Sequence, residues 1–118
     1  MGLRTGSWKT VIIAMGASPA VSAEIDLVGE FRHIQVYNPA LDSATITVEP
    51  SRNTGDTAVQ AYTFNSGATG DFVNTTTARA TAGMNVFKDI CARFITLLLS
   101  ATQTTAARTL YVRGIDPI

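Results

Sequence analysis

Any chemistry in this chain rests on few side chains, because its 118 residues hold one His, one Cys, one Trp and nine Asp plus Glu. The segment Gly16-Ala17-Ser18-Pro19-Ala20 follows an apolar run, as a nucleophile elbow would. Its last glycine is replaced by Ala20, however, and Pro19 leads toward loop and strand rather than helix. His33 is the single imidazole available as a base, and its strand-like surroundings favour a surface or interface role. Cys91 lies among apolar residues and has no partner thiol, so it reads as a small packing side chain. Asp26, Asp42, Asp56, Asp71 and Asp89 are scattered, and Asn53-Thr54-Gly55-Asp56 lacks the dense alternation of oxygen ligands found in a calcium loop. Asn74-Thr75-Thr76 fits the glycosylation pattern, which short sequences match often by chance. No catalytic residue, cofactor or metal is therefore expected.

Binding surfaces remain. Trp8, Tyr37, Tyr62 and Phe72 have rings that stack on sugars in carbohydrate-binding sandwiches, although core or subunit contact is the plainer use of so few aromatics. Arg4 and Lys9 precede the first acid, Glu24, and give the amino-terminal segment a positive charge suited to an acidic partner surface.

The elements that must position these groups follow from composition and period. Nine basic and nine acidic residues cancel, so there is no net field to hold nucleic acid. One thiol excludes an internal disulfide and a cysteine zinc site. The length suits one domain with a core of its own. Seventeen Thr and sixteen Ala, with few Lys and Glu, disfavour long surface helices and suit half-exposed strands. The first 23 residues imitate an export signal through Arg4, Lys9 and Val11-Ile12-Ile13-Ala14-Met15, but that apolar run is short for an h-region, and a strand fits it better. No apolar stretch reaches the roughly 20 residues that span a bilayer, so no membrane partner is expected.

Residues 1–9 show no periodicity and are expected to form an amino-terminal arm that orders only against something else; residues 10–118 form one domain. Strands are expected over 10–14, 23–28, 31–37, 44–49, 58–64, 71–75, 93–100 and 108–113, with Pro50 ending the fourth. Ile34 and Val36 share one face, with His33, Gln35 and Tyr37 on the other; Leu110 and Val112 point inward, with Thr109 and Tyr111 outward. Residues 93–100, apolar on both faces, mark a central strand covered by the core and by a further layer or subunit. Residues 76–84 read as connection, and Met84, Phe87 and Ile90 as irregular structure. The fold class is all-β, an antiparallel two-sheet sandwich of jelly-roll-like type.

Ile12-Ile13-Ala14-Met15-Gly16-Ala17-Ser18 followed by Val21-Ser22-Ala23-Glu24-Ile25-Asp26-Leu27 resembles small structural proteins of tailed bacteriophages. So do Ile34-Gln35-Val36 running to Asn38-Pro39-Ala40, Ala44 to Val48 leading to the Ser51–Gly55 loop, and Val86–Ile90 running to Arg93–Leu97. The chain departs from that pattern in placing Gly55 before Asp56 and in having no aromatic beside Leu41-Asp42. The resemblance implies a non-enzymatic virion component, a decoration or cement protein on the capsid surface that clamps neighbouring major capsid subunits.

On that reading a homotrimer is the expected state, because a closed ring must match the symmetry of its site. The contact residues expected are Arg4, Trp8 and Lys9 in the arm, gripping the shell, with Leu97, Leu99 and Tyr111 near subunit contacts. A carbohydrate-binding or host-attachment domain of a tail or head fibre is the alternative.

Overall fold

The computed structural model describes residues 3–59, 62–63, 72–73 and 75–117. Its strands are β1 (Leu3–Thr5), β2 (Lys9–Ile13), β3 (Ala20–Val21), β4 (Ile25–Phe31), β5 (His33–Asn38), β6 (Ile46–Ser51), β7 (Tyr62–Thr63), β8 (Phe72–Val73), β9 (Gly83–Phe87), β10 (Ala92–Leu99) and β11 (Arg108–Pro117). There is no helix among the described residues.

Two long strands organise two antiparallel sheets. On one edge β11 carries β2 and β1 end to end, and on the other β5, which in turn pairs with β9. In the second sheet β10 carries β3 and β4 end to end on one edge and β6 on the other. A bridge from Thr47 to Thr75 continues that sheet beyond β6. The orders 2-11-5-9 and 4-10-6, with β4, β5 and β6 and then β9, β10 and β11 passing from sheet to sheet, make this β-sandwich a jelly roll. The short pair β7–β8 stands apart as a small ribbon.

Period-two alternation explains why these sequences form strands. Ile25 and Leu27, Ile34 and Val36, Ile95 and Leu97, and Leu110 and Val112 all turn inward and are buried, while their neighbours face outward. The sandwich closes by removing these branched side chains from water, the main favourable contribution to folding.

Several expectations change. The described part of the segment, residues 3–9, orders against the chain's own last strand: Leu3, Arg4 and Thr5 pair with Pro117, Asp116 and Ile115, and Lys9 with Val112. Three residues are too short a strand for periodicity to reveal. Residues 83–87 form β9 and are not irregular, because Val36 and Gln35 supply its ladder and Phe87 turns into the core. Pro50 does not end its strand: β6 continues to Ser51, with Pro50 opposite Ile95, on a strand paired with β10 along one edge. The strands expected over 58–64 and 71–75 appear as β7 and β8, and their remaining residues lie mostly outside the described set.

Candidate interaction surface

Four of the six residues expected at contacts are engaged within the chain. Leu97 and Leu99 are core: Leu97 is wholly buried, and Leu99 nearly so. The outward positions of β10 belong to Phe94, Thr96 and Leu98, which are partly covered. Arg4 lies over the Phe31 ring, 4.3 Å from its centroid, donates to the Glu30 carbonyl at 2.7 Å and pairs with Asp116. Its charge is met inside the chain, so it is not a free grip on an acidic partner. Lys9 opens β2 opposite Val112, half-buried in a depression it shares with Glu24 and Asp26.

Trp8 and Tyr111 do come together, with a residue named for its ring and one that was not. Trp8, Tyr37, Tyr111 and Met84 line one groove of about 550 Å³ on the outer face of the five-stranded sheet. Register builds it, since Tyr111 of β11 stands opposite Tyr37 of β5, which stands opposite Met84 of β9. The two tyrosine rings are tilted, with centroids 5.9 Å apart. In the next row Arg113, Gln35 and Val86 align. Arg113 Nε donates to Gln35 Oε1 at 2.7 Å, and its guanidinium lies 4.4 Å from the centroid of the Trp8 ring.

Around this centre the face stays apolar. Leu3, Trp8, Ile12, Met84, Val86 and Tyr111 are between 40% and 62% exposed. These six are most of the large exposed hydrophobics among the described residues; β-sheet alternation puts the five strand residues on one side of one sheet, and Trp8, in the β1–β2 connection, joins them over Arg113. The outward strand positions of this sheet carry no carboxylate among the described residues. Met84 and Val86 were not expected at a contact surface; their signal is the alternation Met84-Asn85-Val86-Phe87, which is hard to see because the inward Asn85 is polar.

Carboxylates elsewhere tie the scaffold together. Asp42 accepts from the backbone N–H of Thr105 and of Thr104, from the Thr105 hydroxyl and from Arg108, and these donors hold its carboxyl below the usual range. The wholly buried Gln103 joins the same cluster, accepting from the Asp42 N–H and from Arg108 Nε. Arg93 beside Asp26, helped by the N–H of Val28, lowers that carboxyl to about 2. Glu24 accepts from Thr54 and from the Gly55 N–H, so the loop once weighed for calcium is held by a carboxylate from outside it.

The remaining chemistry candidates stay apart. Ser18 is exposed in the turn before β3, at the end of the sandwich opposite His33. His33 Nδ1 accepts the Asp89 N–H at 3.1 Å, which positions a loop. Cys91 is exposed and unpaired beside that loop. Tyr62 and Phe72 lie on β7 and β8, and their side chains are outside the described set. Among the described residues no three His, Cys, Asp or Glu side chains are placed to hold a metal ion. Compared with known proteins, this chain matches no family model, no curated protein and no solved structure.

Proposed function

We propose that the chain is a non-enzymatic structural component of a virion, a decoration or cement protein that acts as a homotrimer on the capsid surface and binds the major capsid protein lattice. The observation that carries this reading is the gathering of exposed apolar side chains on one sheet face, while the ion pairs among the described residues close within the scaffold. Contiguous apolar area of that kind marks a surface made to be covered. Jelly rolls serve in viral capsids and in lectins, and the fold alone does not choose between them. The Thr- and Ala-rich remainder favours burial in an assembly, because it sheds few charges on contact.

Purified chain mixed with capsid shells that lack it tests the reading. Saturable co-sedimentation at a fixed ratio to the major capsid protein is the expected result, and shells that pellet without the chain would remove it. The second reading, carbohydrate recognition, is favoured by three aromatic rings sharing a groove beside Arg113 and Gln35. A glycan array probed with soluble chain separates the two, since a decoration protein leaves it blank.

A further inference from the structure

We propose that His33 is a proton-operated latch on the loop joining β9 to β10: its neutral ring holds residues 88–91 against the sheet, and its protonated ring lets them go.

The loop needs holding. Asp89 and Cys91 sit in the left-handed region, at φ 58° and 55°, where a residue with a Cβ is strained. Four hydrogen bonds keep it there. The Asp89 N–H donates to His33 Nδ1 at 3.1 Å, and the Asp89 carboxylate accepts from Arg32 Nε at 2.9 Å. The Ile90 and Cys91 N–H groups both donate to the Arg32 carbonyl, and Ile90 turns into the core. Of these ties only the first rests on an imidazole, the side chain that ordinarily changes charge between about pH 5 and pH 8.

To accept the Asp89 N–H, Nδ1 must be bare and the ring proton must sit on Nε2. A second proton makes both nitrogens donors, so N–H would face N–H and the tie is lost. The surroundings offer the charged ring another partner. Around it stand Lys88, Asp89 and Cys91 in the loop, Arg32 between β4 and β5, and Asp116 on β11, which is paired with Arg4 of β1. Arg32 holds the Asp89 carboxyl below the usual range, and the Arg32 N–H together with Arg4 does the same for Asp116. Both carboxylates therefore stay charged while the ring titrates. The imidazolium exchanges acceptor for donor, turning from the Asp89 amide toward these carboxylates.

The change is local, because the ladders of both sheets lie outside it. With Gly29, Pro50 and Phe94, the loop residues Ile90 and Cys91 line a depression of about 550 Å³, so releasing the loop reshapes that depression. A local charge change that biases a strained segment between two arrangements is the general form of a pH switch.

Nuclear magnetic resonance of the full chain from about pH 7.5 to about pH 5 tests the latch, since a single His makes the ring signals unambiguous. As the ring protonates, the protection of the Asp89 amide from exchange, measured against the free-peptide rate at each pH, is expected to fall about tenfold, the worth of one hydrogen bond. The Ile90 and Cys91 amides are expected to follow, and those of β11 to stay level. His33→Asn keeps an acceptor at the δ position without a titrating group, and is expected to hold the loop closed throughout. An Asp89 amide that stays protected while the wild-type ring titrates overturns the proposal, with or without the variant. A loop that still opens with acid in His33→Asn also overturns it. Either result leaves the virion reading standing, because the latch does not depend on what the chain binds.

Discussion

Gly114 shows how one residue can be fixed by its neighbour. A Cβ built there would run into the Phe31 side chain, because Phe31 packs against the β11 backbone at Gly114, with the Arg4 guanidinium also over its ring. Gly114→Ala is therefore expected to destabilise the chain by about 3 kcal/mol, read as a lower midpoint in urea. The lowered carboxyls of Asp26, Asp42, Asp89 and Asp116 set a pH dependence at the same scale. Each binds its proton less readily folded than unfolded, so its stabilisation is complete above the ordinary carboxyl range and is lost as pH falls through its own lowered folded value, which for Asp26 is about 2. Thermal melts in buffers from pH 6 to pH 2 should be level at the upper end and drop steeply below about pH 4. Asp42→Asn should lower the plateau and make the acid drop shallower.

At the scale of elements, the amino-terminal segment belongs to the scaffold. Removing residues 1–9 takes away β1, the start of β2 and the Arg4 cover over Phe31, and leaves Asp116 without its cation. The truncated chain is expected to melt well below the full chain, by about 5 °C or more for a loss above 1 kcal/mol, and calorimetry checks this. An unchanged melt would return the segment to the role of a free arm. The long strands were legible in the sequence because their inward residues are branched and alternate: residues 10–13, 33–37 and 108–113 carry their burial pattern openly, while Phe31, expected at the head of the third strand, ends β4 instead. The pieces that were not legible depend on partners far along the chain. β1 needs Ile115–Pro117, β3 needs Leu98 and Leu99, and β9 hides its alternation because Asn85 turns inward to donate to Val36 O and Asn38 Oδ1.

Residues 93–100 mislead in a different way. Their apolar character is real on both faces, but Leu97 and Leu99 take the inward positions and leave Phe94, Thr96 and Leu98 outside, which one-residue register decides and composition does not. Of the candidate surface, Trp8 and Tyr111 were legible as exposed rings. Their meeting with Tyr37 and Met84 was not, because that row exists only once β11, β5 and β9 lie side by side.

For the whole molecule, the sandwich is a closed core that leaves one broad side unfinished. Polar clusters around Asp42 and Gln103 at one end, and around Arg4, Arg32, Asp89 and Asp116 at the other, bind the connections to the sheets. The apolar surplus is left on the outer face of the five-stranded sheet. A protein that works by being covered needs such a face more than it needs a pocket. Imaging intact virus particles at a resolution that places sheets tests this most directly. The account predicts density for this chain at symmetric positions on the capsid exterior, with the outer face of the five-stranded sheet covered. Particles that carry no copy of the chain, or copies whose Tyr111 faces open water, would contradict it.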